Sequence, residues 1–204
     1  MAPQLDITVS EYGDETPALS LAPAISDSED SASLIVEKEQ RRGTKALYPE
    51  RFPYNPIYPK EGDFEVIFKE ANTGCGVISY RSFKKGDVVA AMTGDVVEDI
   101  RLHTLQIKPG LHLHDVWFVG YLLHSCLPNV YLDMEQMLVY AVRDIEPNDH
   151  MYMDYAQTED VLFRQFPCCC GATKCRGWIT GRVQDPDTSD PLYQGHAAPV
   201  ATKD

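Results

Sequence analysis

Cysteine carries the clearest chemistry in this chain. Cys168-Cys169-Cys170-Gly171-Ala172-Thr173-Lys174-Cys175 has a C-x-C-x4-C spacing. With Gly171 allowing a tight turn, Cys168, Cys170 and Cys175 can occupy three corners of a Zn²⁺ tetrahedron. The fourth corner must come from elsewhere, and Cys126 in His124-Ser125-Cys126 is the leading candidate. Cys169 is then the odd thiol, turned away from the metal. Four thiolates around one Zn²⁺ leave a charge of −2, which Lys174 and Arg176 offset. The alternative is a set of free thiols with no metal. His103, His112 and His114 lie close together, but no carboxylate-rich metal pattern accompanies them, so they read as packing or surface histidines. No nucleophile elbow, phosphate loop or paired-carboxylate site is visible.

Charge narrows the setting. The chain has 204 residues, with 18 Lys+Arg against 31 Asp+Glu and a net charge of −13. Residues 1–30 hold −7 of it and residues 184–204 hold −3, so 31–183 carry only −3. No cationic excess exists to neutralise phosphates, which argues against direct nucleic-acid binding. No apolar run approaches the ~18 residues of a membrane span. No basic region followed by an apolar stretch marks a secretory leader. An intracellular compartment, cytoplasmic or nuclear, is therefore expected. There, thiols stay reduced and serve metals or catalysis rather than a disulfide framework.

The elements that must hold these residues are mostly strands. Alternating or β-rich runs cover 64–69, 76–81, 88–93, 129–133, 138–143 and 150–155. Turns fall at Asn72 to Gly74, Lys84 to Asp87, Met134 to Gln136 and Pro147 to Asp149. Four prolines between Tyr48 and Pro59 enforce an extended, irregular crossing. Short helices are expected at 115–123 and at 158–166, the latter with Thr158 as N-cap and Glu159 and Asp160 in its first turn. Residues 1–43 read as a disordered acidic arm, with an apolar patch at Leu34-Ile35-Val36, and 183–204 as a disordered tail. Between them lies a single domain, mostly β with few short helices.

Several motifs in order resemble one family. Tyr121-Leu122-Leu123-His124-Ser125-Cys126-Leu127-Pro128-Asn129 is similar to the N-H-S-C-x-P-N signature of SET-domain methyltransferases. Ala141 to Ile145, followed by Met153-Asp154-Tyr155, resembles that family's strand, turn and catalytic D-Y. Residues 166–177 are similar to its post-SET zinc motif. Gly74-Cys75-Gly76-Val77, Lys85-Gly86-Asp87 and Thr93-Gly94-Asp95 occupy its G-x-G, turn and G-E places. The resemblance spans about half the chain. It departs at Leu123, where the family has Asn, at Gly120, where it has Arg, and at Met153, where Phe or Tyr is usual.

The resemblance implies a SET-type knotted β-fold of small sheets, with a SET core at 44–165 and a zinc knuckle at 166–182. It implies a methyltransferase using S-adenosyl-L-methionine, with a protein lysine as the expected acceptor. Cys75 and Gly76 would meet the methionine part of the cofactor, Leu123 and His124 its adenine side, and Trp178 would close over the ring by stacking. Tyr155 would be the catalytic residue and would also touch the cofactor, holding amine and methyl in line. Zn²⁺, one per chain, would sit on Cys126, Cys168, Cys170 and Cys175. Two alternatives stand beside this reading. One is a SET-fold enzyme acting on a small-molecule amine or biosynthetic intermediate; the other is a catalytically weak SET-fold binding module. A monomer is expected, with no direct nucleic-acid or membrane partner.

Overall fold

The computed structural model describes residues 45–68 and 75–195. The acidic arm at 1–43, the turn expected at Asn72 to Gly74 and residues beyond 195 lie outside them. Twelve short strands follow in order: β1 (Phe64–Phe68), β2 (Cys75–Ser79), β3 (Val88–Ala91), β4 (Asp95–Val97), β5 (Thr104–Lys108) and β6 (Leu111–His114), then β7 (Leu123–His124), β8 (Val130–Asp133), β9 (Leu138–Ala141), β10 (His150–Met153), β11 (Phe166–Pro167) and β12 (Trp178–Ile179). A five-residue helix, α1 (Pro191–Gly195), ends the described chain.

The strands form four small sheets, in the orders β1-β2-β10-β7, β3-β9-β8, β4-β6-β5 and β11-β12. In the first, β10 runs antiparallel to β2 and parallel to β7, so a late strand sits between two earlier ones. This pairing places Met153 beside His124, and so brings Tyr155 to the strand that carries His124 and Cys126. Alternation explains the core: along β9 and β10 every second side chain is buried, as a half-buried strand requires. Phe64, Val77, Phe118, Val130, Val139, Ile145 and Met151 make the centre of one apolar cluster. A smaller cluster of Leu162, Cys168 and Ile179 lies under the cysteine knot, and Tyr155 packs against both.

The helix expected at 115–123 shrinks to a single 3₁₀ turn, and the one expected at 158–166 is absent, a 3₁₀ turn preceding it at Tyr155–Gln157. At 115–123 the buried Asp115 carboxylate collects the amides of Trp117, Phe118 and Val119 and the hydroxyl of Tyr48 at 2.7–2.9 Å. The chain then winds for only Val119–Tyr121, because Leu122 turns extended to enter β7. At 158–166 the cap is not Thr158 but Asp154, which accepts from Ala156 N at the head of the turn Tyr155–Gln157. No helix continues, because Glu159 and Asp160 spend their side chains on Gln106 of β5 instead of on a helical first turn.

The tail also differs from expectation as far as residue 195. Gln184 accepts from Leu162 N and Gly181 N, Gln165 binds Asp185 O and Asp187 N, and Tyr193 packs edge-on against Trp178. Polar tail residues thus complete hydrogen bonds that the short strands leave open.

Candidate functional site

The knot comes first because it is built locally. Gly171 and Gly177 take positive φ values of 71° and 74°, the left-handed region that glycine enters without a Cβ penalty. Those two bends fold 168–177 into a loop closed by Cys168 N on Gly177 O at 2.7 Å and Cys175 N on Ala172 O at 2.9 Å. Cys168, Cys170 and Cys175 consequently converge. Cys126, at the exit of β7, reaches the same point, and the four sulfurs lie within 4.8 Å of one another. Cys126 and Cys168 sulfurs are 3.9 Å apart, close to the roughly 3.8 Å that two Zn–S bonds of about 2.3 Å at a tetrahedral angle require. The Cys170 thiol is pulled down to about 6: burial opposes this, but hydrogen bonds from the Ala172 and Cys126 backbones outweigh it. An all-sulfur donor set of this size and shape fits a structural zinc ion. Cys169 is exposed and stands apart from the cluster. His112 and His114 join no metal cluster among the described residues; His112 is buried in β6 with its Nδ1 unpartnered.

Next to the knot stands Tyr155. Its hydroxyl donates to Leu122 O at 2.9 Å and its ring remains partly accessible. Burial and then the charge of Glu159 push the phenol up to about 12, so it stays protonated at neutral pH. His124 packs edge-on at 5.3 Å, and Phe166 completes an aromatic corner at 5.9 Å from Tyr155 and 6.1 Å from His124. Burial drives the His124 imidazole down to about 4, opposed by Asp154 and aided by Arg176, so it is neutral near pH 7. Asp154 itself is paired with the Arg176 guanidinium.

The residues assigned to a cofactor by resemblance fall unequally around this corner. Leu123 lies over Gly76: a Cβ built on that glycine would stand 3.0 Å from Leu123 Cδ1. Gly76 is thus bare to let β2 and β7 approach, with the leucine filling the space above it. Cys75 lies near Tyr121, whose phenol is raised by burial and by that thiol. Cys75, Tyr121, Leu123, Tyr155 and Phe166 are all half-buried, leaving a thiol, apolar and aromatic surface around β7. Such a surface fits an adenine ring and a thioether-like chain, and the residues present are compatible with S-adenosylmethionine.

Trp178, expected to stack on the cofactor, lies on the β11-β12 ribbon beside the cysteine loop. It pairs with Pro167, whereas Phe166 pairs with Ile179, so Trp178 and Phe166 occupy opposite faces of the β11-β12 ribbon. The Trp178 ring is buried, its Nε1–H donating to Gln165 Oε1 at 2.7 Å. Phe166 is the aromatic of this ribbon that meets Tyr155 and His124. The signal was faint: two aromatics flank the cysteine loop, and only strand register decides which one turns inward.

No family model matches the chain. It is 33% identical over 88 residues to the methyltransferase flvH of Aspergillus flavus, covering 42% of this chain and 49% of that protein. It is 29% identical over 131 residues to the histone-lysine N-methyltransferase TRX1 of Oryza sativa subsp. japonica, covering 52% of this chain and 13% of that protein. The chain thus spans half or less of the length of these curated relatives. Among solved structures it is similar to KRYPTONITE in complex with mCHH DNA, an H3(1-15) peptide and SAH, with a TM-score of 0.48 and 24% identity over 56% of this chain and 29% of that one. The chain is thus similar to proteins named as methyltransferases, and its ordered motifs resemble those of the SET-domain methyltransferases.

Proposed function

We propose that this chain is an S-adenosylmethionine-dependent methyltransferase that methylates the side-chain amine of a protein lysine. The observation that carries the proposal is Tyr155, held protonated with its hydroxyl aimed at Leu122 O in an aromatic corner beside four gathered thiols. Relatives named as histone-lysine N-methyltransferases support a protein acceptor. Bound S-adenosylmethionine supplies an electrophilic methyl group on a sulfonium.

The chain's own residues would do the rest by positioning. The Tyr155 hydroxyl donates its hydrogen bond to Leu122 O, which leaves oxygen lone pairs to accept an N–H from an incoming amine. His124 is neutral and Asp154 is paired with Arg176, so neither adds an unpaired charge beside Tyr155. A half-dry setting lowers an amine's pKa and favours the neutral nucleophile. Cys75, Gly76, Leu123, His124 and Phe166 would hold the cofactor, and Cys126, Cys168, Cys170 and Cys175 one structural zinc ion. No helix among the described residues is long and apolar enough to cross a membrane; reduced thiols suit an intracellular site of action.

The test is transfer of label from S-adenosylmethionine, using the full chain and a whole-cell extract. Label is expected in protein. In Tyr155→Phe the fold should survive and the rate should fall about 10²-fold, equivalent to roughly 3 kcal/mol of transition-state stabilisation. An unchanged rate in that variant overturns the assignment of Tyr155. Label entering small molecules alone makes the acceptor a free amine, and no cofactor binding at millimolar concentration makes the chain a binding module.

A further inference from the structure

Glu159 is a buried acid that the chemistry above leaves unused. It is 6% exposed, four residues after Tyr155, in a segment that follows the 3₁₀ turn without regular structure. Its backbone amide donates to Tyr155 O at 2.9 Å, and its carboxylate Oε1 accepts the Gln106 amide of β5 at 2.9 Å. One residue therefore grips the Tyr155 turn with its main chain and a different sheet with its side chain. β5 lies at the edge of its sheet, so that amide has no strand to pair with on this side. The neighbouring contacts reinforce the same junction. The Gln106 side chain bonds both the amide and the carboxylate of Asp160. Arg182 holds Asp160, the carbonyls of Gln157 and Thr158 and, through its amide, Glu159 O.

We infer that Glu159 is a positioning residue for Tyr155, its buried carboxylate tying the turn that carries the phenol to the edge of β5. The inference rests on the methyltransferase reading for its kinetic consequence, though not for its structural one. The charged groups around the carboxylate are few. Asp160 adds like charge from the same segment and Arg182 adds opposite charge from beyond β12, while β5 presents neutral Gln106 and, lining the same hollow, Lys108, and the 3₁₀ turn presents the Tyr155 phenol. Burial is the largest influence and pushes Glu159 up to about 7, against hydrogen bonds from Gln106 and Thr158. A hydrogen bond to an ionised acceptor is roughly twice as strong as to a neutral one, so the grip tightens as Glu159 loses its proton.

Two variants of the full chain separate charge from contact. Glu159→Gln keeps an acceptor for the Gln106 amide and removes the charge; Glu159→Ala removes both. Wild type is expected to show a kcat that rises through pH 7, and Glu159→Gln to lose that inflection with KM held within about twofold. Glu159→Ala is expected to lower kcat tenfold or more. Independently of turnover, ultraviolet titration of the phenols, with Tyr155→Phe as the subtraction blank, is expected to place Tyr155 lower in Glu159→Gln than in wild type. An unmoved Tyr155 titration in Glu159→Gln overturns the inference even where the wild type transfers no methyl group. So does a wild-type pH profile retained in Glu159→Gln. If Glu159→Ala does not fold, the Gln variant still decides.

Discussion

A single proton on Glu159 has a thermodynamic consequence as well as a kinetic one. In the folded protein burial keeps the proton on until about pH 7, whereas the ordinary value is 4.5. Between those values the folded state binds more protons than the unfolded state, so stability falls as pH rises from about 4.5 to 7 and is level above. A gap of this size corresponds to roughly 3 kcal/mol. Urea unfolding should therefore find Glu159→Gln more stable than wild type by up to about 3 kcal/mol at pH 8 and no different near pH 4.5. Equal stability at both pH values would remove the buried charge from the account. This burial was not legible in the residues alone: Glu159 follows Thr158 like any first-turn acid, and only the packing of β5 against it makes it costly. Tyr155 drew attention because Asp154 precedes it in a D-Y pair, after a strand and turn in the expected order. The inward turn of Phe166, by contrast, follows from register across β11 and β12, which a single strand does not encode.

At the scale of elements, the segment from Asp115 to His124 shows a departure from the family with a steric reason. A Cβ on Gly120 would lie 1.9 Å from Asp115 O and 2.9 Å from His103 Cβ, while Gly120 O is held by His103 Nδ1 at 2.7 Å. The arginine usual at this place has no room for its first carbon. Gly120→Ala is expected to destabilise the protein by about 1–3 kcal/mol through overpacking, read as a lower thermal midpoint. An unshifted midpoint would mean that the backbone yields there. Half of the strands were legible to within a residue or two, since β1, β2, β3, β8, β9 and β10 lie on or beside the expected runs, whereas β4 to β7, β11 and β12 fell in no such run. The two expected helices were not, for one shared reason. Asp115, Glu159 and Asp160 look like residues of a helix start, but a carboxylate serves a hydroxyl, amide or side chain of a distant element as readily as its own turn.

For the whole molecule, the cysteine knot joins the end of the chain to its middle. Cys126 leaves the four-stranded sheet, while Cys168, Cys170 and Cys175 hold the segment that leads into β12. The chain's two tryptophans report the two parts separately: Trp117 packs on Phe52 and Tyr48 in the main core, Trp178 on Gln165 and Tyr193 beyond the knot. Chelation of the proposed zinc should red-shift Trp178 emission and leave Trp117 unchanged, with Trp178→Phe as the control that silences the response. Cys175→Ser should give the same result and lower metal content, and Cys169→Ser should do neither. A full metal complement in Cys175→Ser would require another ligand set.

The placement of β10 between β2 and β7 also sets an order in time. During synthesis, β7 emerges with its partner edge bare, and Cys126 waits without its three companions until residues 168–175 have been made. At translation speeds of roughly 5–20 residues per second that interval lasts some seconds. For those seconds a nascent chain offers an open strand edge and a lone thiol to whatever surrounds the ribosome. Its yield in the cell should therefore depend on how quickly the ribosome passes the codons between β10 and β12, a sensitivity absent from the finished protein.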